Sequence, residues 1–85
     1  MRHRRVVKME EKTLAVMAAI LGALKEVGPS PHSAIYLALG MNLDLCMKIT
    51  SALADAGLIT VEHNLVSLTE KGRATIDKID ALNSN

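Results

Sequence analysis

The segment Leu58-Ile59-Thr60-Val61-Glu62-His63-Asn64-Leu65-Val66-Ser67-Leu68 sets apolar and polar residues in near alternation on both sides of His63-Asn64. Taken as a hairpin with His63-Asn64 as a two-residue loop, Glu62 falls opposite Leu65, Val61 opposite Val66, Thr60 opposite Ser67 and Ile59 opposite Leu68. Ile59, Val61, Val66 and Leu68 then share one face, and Thr60, Glu62, Leu65 and Ser67 share the other. A slip of one residue would mix the two sets, so the pattern specifies the register as well as the strands.

Working upstream, Gly57 reads as a helix-terminating glycine, and the helix it ends begins at a cap on Asn42 or Asp44. Within it, Leu43, Cys46, Ile49, Thr50 and Leu53 lie on one face, while Asp44, Leu45, Lys48, Ser51 and Asp55 lie largely on the other. Gly40 stops a shorter helix over residues 32–39, with Ala34, Ile35, Ala38 and Leu39 directed inward. Its start is set by Gly28-Pro29-Ser30-Pro31, where Ser30 suits an N-cap and Pro31 a first helical position. A first helix is predicted from about residue 11, where Glu10 and Glu11 favour a helix start, to residue 27. It carries two apolar stripes, Leu14, Met17, Leu21 and Leu24 on one and Val16, Ile20 and Val27 on the other. A helix apolar on two sides needs two covers: the core for one, the hairpin or a second subunit for the other. Gly22 lowers its helical propensity by roughly 1 kcal/mol relative to alanine, which a close helix–helix approach would explain.

Downstream, Thr69 caps a last helix over about residues 70–82 with a stripe of Ile76, Ile79 and Leu82. The chain divides into a basic arm at residues 1–9, a single domain over 10–82 and a frayed end at 83–85. The first eight residues hold Arg2, Arg4, Arg5 and Lys8 and no acid; the other 77 carry six bases against nine acids, a net charge of −3. Hydrophobic residues make up 49% of the chain and Tyr36 is the one aromatic, so the core is aliphatic and part of the apolar surface suits burial against another chain. The apolar run at residues 14–24 is too short for a membrane span and is set off from the basic start by Glu10, Glu11 and Lys12, so it reads as a helix of the domain rather than a leader.

Little here points to catalysis. Cys46 is the one cysteine, which excludes an internal disulfide and a zinc cluster and makes the cytoplasm the expected compartment. It falls on the inward helix face, as a small core residue does. His3, His32 and His63 are scattered over arm, turn and hairpin without metal-ligand spacing. There is no glycine-rich phosphate loop, and Glu10-Glu11 reads as helix-start charge. The expectation is a non-enzymatic protein with no catalytic residue, metal or cofactor.

Two short motifs then carry a resemblance. Residues 49–59, Ile-Thr-Ser-Ala-Leu-Ala-Asp-Ala-Gly-Leu-Ile, resemble the end of the third helix and the start of the first wing strand in MarR-like and archaeal winged-helix regulators. Residues 68–73, Leu-Thr-Glu-Lys-Gly-Arg, resemble the second wing strand entering the C-terminal helix of the same proteins. The likeness spans about residues 11–82. It implies an α+β, mostly α fold: a winged helix-turn-helix with a three-helix core, a two-strand wing and a C-terminal helix. It also implies a transcriptional regulator, often a homodimer, whose third helix enters the major groove of double-stranded DNA.

Carried onto this chain, the candidate DNA contacts are Asn42, Lys48 and Ser51 on the third helix, His63 and Asn64 at the wing, and Lys71 and Arg73 at the start of the last helix. Arg2, Arg4, Arg5 and Lys8 join them as an arm suited to a minor groove. Asp44 is either a helix cap or an acceptor for a cytosine amino group. Candidate dimer contacts are Val16, Ile20 and Val27 with Ile76, Ile79 and Leu82. The third helix departs from a DNA-binding pattern in carrying one base, Lys48, against Asp44 and Asp55, and the wing offers no Lys or Arg at its turn. With Leu45 and Leu65 apolar, these departures leave a second expectation open, a winged-helix module for protein–protein contact.

Overall fold

The computed structural model describes residues 2–83, with side chains described from residue 13 to residue 82. The elements follow as α1 (Arg2–Val27), β1 (Ser30–Pro31), α2 (His32–Leu39), α3 (Leu43–Asp55), β2 (Ile59–Glu62), β3 (Leu65–Leu68) and α4 (Glu70–Asn83). This is the winged-helix order expected from the sequence, with one added strand.

The hairpin pairs in the expected register: Ile59 with Leu68, Thr60 with Ser67, Val61 with Val66 and Glu62 with Leu65. His63 and Asn64 form the turn at φ of 51° and 68°, the left-handed conformation that two-residue loops need to follow strand twist. On the apolar face Ile59 and Val66 are buried and Leu68 is half-buried, but Val61, nearest the tip, is exposed.

β1 pairs with β3 through Ser30–Val66 and Pro31–Leu65, giving a sheet ordered β1-β3-β2. The expected Ser30 cap of α2 is therefore corrected. Ser30 is a strand residue whose hydroxyl donates to the Gly28 carbonyl, and Pro31 stands at the N-cap with no side-chain cap bond. Proline is tolerated in β1 because an edge strand leaves one side unpaired.

α1 starts at Arg2, not near residue 11, so the segment expected as an arm continues the helix. Residues 2–12 contain no glycine or proline and are rich in Arg, Lys, Glu and Met, all good helix formers. Of the expected frayed end, Asn83 belongs to α4, while residues 84 and 85 lie outside the described residues.

The core is formed by Ile20, Leu21 and Leu24 of α1, Ile35 of α2, Cys46, Ile49 and Leu53 of α3, Ile59 and Val66 of the sheet, and Ile76 of α4. Both stripes of α1 are thus covered within the single chain at Ile20, Leu21 and Leu24, in the C-terminal part of the helix, while Leu14 near its middle and Val27 at its end stay exposed. In α2 the inward face is His32, Ile35, Tyr36 and Leu39, the i, i+3, i+4, i+7 set of one helix side; Ala34 and Ala38, expected inside, are exposed. Leu43, likewise expected inside, is 49% exposed, because it opens α3 before the helix turns onto the core.

Candidate nucleic-acid interface

α2 and α3 are joined by Gly40-Met41-Asn42, and the chain bends by 115° between their axes. That angle and a turn of three residues are those of a helix-turn-helix. Gly40 takes φ 67° at the end of α2, and the Met41 amide donates to the Tyr36 carbonyl at 3.0 Å. Asn42, rather than Asp44, caps α3: its Oδ1 accepts from the Leu45 amide at 2.8 Å. Asp44 then sits exposed in the first turn, where its charge complements the helix dipole.

Cys46, Ile49, Thr50 and Leu53 press α3 onto the core. The buried Thr50 hydroxyl donates to the Cys46 carbonyl at 2.8 Å, which leaves no unpaired polar atom on that side chain. Cys46 is a free buried thiol, and burial pushes its pKa up, away from the thiolate that nucleophilic chemistry requires. The face turned outward shows Asp44, Lys48, Ser51 and Asp55, all exposed. Lys48 is the one base on it, as the sequence indicated.

The far end of α3 is tied to the start of α4. Gly57 ends the helix at φ 80°, and the Leu58 amide donates to the Leu53 carbonyl at 2.9 Å. The Lys71 ammonium donates to the Ala56 carbonyl at 3.0 Å, satisfying one of the carbonyls a helix leaves open at its end. Lys71, a candidate DNA contact from sequence, is therefore engaged in holding α3. Thr69 works in two directions. Its Oγ1 accepts from the Gly72 amide at 3.0 Å, capping α4 as expected, and its hydroxyl donates to the Gly57 carbonyl at 2.6 Å. Sequence reasoning missed both the link from Thr69 to Gly57 and the role of Gly72, whose absent side chain lets α4 lie directly on the backbone of Leu58.

The remaining candidates are distributed over three places. Lys48 and Ser51 share the outward face of α3; Asn42 lies at its start with Oδ1 committed to the cap, leaving its Nδ2 for outside contact. His63 and Asn64 are exposed at the wing tip, and Arg73 is exposed on the first turn of α4. Arg2, Arg4, Arg5 and Lys8 belong to the first turns of α1, and their side chains lie outside the described residues. Among the described residues no His, Cys, Asp and Glu group could hold a metal ion, and no single helix is long and apolar enough to cross a membrane.

Two of the six candidate dimer contacts are corrected. Ile20 and Ile76 are 0% and 2% exposed, so they are core residues of one chain and present no surface to another. Val16 and Ile79 are half-buried, and Val27 and Leu82 are exposed. Between α1 and α4 runs an apolar groove of about 530 Å³, lined by Leu14, Met17, Leu21, Leu58, Thr75 and Ile79 among others. The two helices are clamped beside it by Lys25, whose ammonium lies 2.7 Å from Asp77 and 3.0 Å from Asp80.

A fold built from a helix-turn-helix with a short wing defines a class, and comparison with known proteins places the chain in it. The winged helix-turn-helix family matches residues 12–85, and the chain belongs to that family. Its structure is similar to that of BpsR from Bordetella bronchiseptica, described for the regulation of its DNA binding by 6-hydroxynicotinic acid. The TM-score is 0.75 at 17% identity, over 99% of this chain and 74% of that one. It is also similar to a probable transcriptional regulator from Pseudomonas aeruginosa, with a TM-score of 0.70 at 20% identity over 99% of this chain and 78% of the other. No curated protein matches in sequence.

Proposed function

We propose that this chain is a DNA-binding transcriptional regulator that acts as a homodimer. The observation that carries the reading is α3 itself: it is capped, pinned to the core along one side and held at 115° to α2, with its other side open to solvent. Such a helix fits the major groove, where the residues of its first turns meet base edges. Lys48 and Ser51 supply donors there, and Asn42 adds its Nδ2. His63 and Asn64 at the wing tip and Arg73 on α4 are suited to phosphate contact. The chain's strongest run of positive charge, Arg2, Arg4, Arg5 and Lys8, supplies the phosphate attraction that α3 lacks.

The homodimer is supported by the exposed Val27 and Leu82 and by the apolar groove between α1 and α4, lined by Leu14, Met17 and Ile79 among others, which a second copy would close. A sedimentation mass near 9.1 kDa at high protein concentration would rule the dimer out.

The deciding experiment is binding of the full chain to duplex DNA across a salt series, with mixed-sequence competitor. A regulator binds with an affinity that falls steeply with salt and persists against competitor. No binding at low salt would instead favour a protein-interaction module, a reading supported by the exposed Leu45, Met47 and Leu65 and by the acid excess on α3. In neither reading is the chain an enzyme.

A further inference from the structure

We propose that α3 reads thymine through its C5-methyl group, with Leu45 and Met47 as the reading side chains; this rests on the DNA-binding reading above. The inner side of α3 is complete without them, since Cys46, Ile49, Thr50 and Leu53 fill it. Leu45 and Met47 are nevertheless 40% and 47% exposed. At 3.6 residues per turn, Asp44, Lys48, Ser51 and Asp55 occupy the centre of the outward face. Leu45 and Met47 stand on its two shoulders, about 160° apart. The face is thus a polar ridge between two apolar flanks.

In the major groove the base edges offer hydrogen-bond donors and acceptors at every pair, and one apolar group, the thymine methyl. A leucine or methionine set against a bare polar edge strips water from it without replacing the hydrogen bond, which is unfavourable. Set against a methyl, the same side chain removes apolar surface from water on both partners. The two flanks therefore discriminate for thymine where they meet the groove, while Lys48 and Ser51 address neighbouring base edges or phosphates. Position is well defined for Leu45 in particular, because its amide is held by the Asn42 cap at 2.8 Å.

The test uses the full chain and the best-bound duplex selected from a randomised library. Each thymine is replaced in turn by deoxyuridine, which removes one methyl and keeps the base pairing. At one or more positions binding should weaken about three- to fivefold, the worth of one buried methyl. That sensitivity should vanish in Leu45→Ala or Met47→Ala. Because the primary change is made on the DNA, the fold is untouched by it. A selected duplex that binds equally well with every thymine replaced overturns the methyl reading and leaves DNA binding standing. Failure of every duplex to bind at low salt overturns the DNA-binding reading and this inference together, and assigns the face to a protein partner.

Discussion

An alanine at Gly72 would place its methyl group within the van der Waals shell of the Leu58 carbonyl oxygen, 2.9 Å from Leu68 Cδ2 and 3.0 Å from the Leu58 carbonyl carbon. The nearest neighbour, the Leu58 carbonyl, is backbone, so no rotamer change relieves that contact and the first turn of α4 must move. That carbonyl also accepts from the Thr69 amide at 3.1 Å, and the Gly72 amide is bound to the Thr69 hydroxyl, so a shift of α4 disturbs both bonds. Overpacking of this kind costs about 1–3 kcal/mol. Weakening of the cap adds about 1 kcal/mol, and the strained carbonyl bond a similar amount. Against this, alanine recovers about 1 kcal/mol of helical propensity. The net expectation is a loss of about 2–4 kcal/mol, in a domain whose size implies a total of about 4–13 kcal/mol. For a chain of this length, the melting temperature should fall by about 10–25 °C, read by circular dichroism at 222 nm with a urea titration alongside. A Gly72→Ala chain melting within about 2 °C of the parent, against that expectation, would refute the docking of α4 on Leu58.

Gly22→Ala makes the opposite expectation on the facing helix: its methyl would meet Ile76 Cδ1 at 4.0 Å, an ordinary contact, so the urea midpoint should rise by the equivalent of about 0.5–1 kcal/mol. Thr69→Ala removes the α4 cap and the bond to Gly57 together and should cost about 1–2 kcal/mol, whereas Thr69→Ser, which keeps the hydroxyl, should recover most of it. Hydrogen bonds first to Asp77 and then to Asp80 raise the Lys25 pKa above its ordinary value of 10.5. A raised folded value means the stabilisation is present below the unfolded pKa and lost as pH rises through the folded one. The stability gap between the parent and Lys25→Met, measured by urea titration, should therefore close on the alkaline side of 10.5 and narrow in high salt. Cys46 should react with a thiol reagent at near-random-coil rates only once the chain is unfolded, since it is buried; equal rates in urea and in buffer would contradict its place in the core.

The hairpin, the Asn42 cap, the end of α3 near Gly57 and the Thr69 cap were legible in the sequence because each depends on residues close in the chain. Alternation fixes strand faces, a two-residue turn fixes register, and a cap reaches an amide three positions on. Much of the candidate interface was legible for the same reason: the outward face of α3 follows from helical period once its inner face is known. The sequence alone could not assign what depends on residues distant in the chain. Ser30 and Pro31 carry no strand periodicity, and they become a strand only because β3 runs beside them and supplies Val66 and Leu65 as partners. Ile20 and Ile76 share apolar stripes with Val27 and Leu82, and only the crossing of α1 and α4 decides which of these are enclosed and which remain exposed. Lys71 and Gly72 look like ordinary helix-surface residues until α4 is laid across the end of α3. One then proves to be a cap and the other a point of backbone contact. Local pattern can specify each element and its apolar side, but burial and hydrogen-bond partnership depend on what another part of the chain brings to that side, and that is decided by tertiary packing.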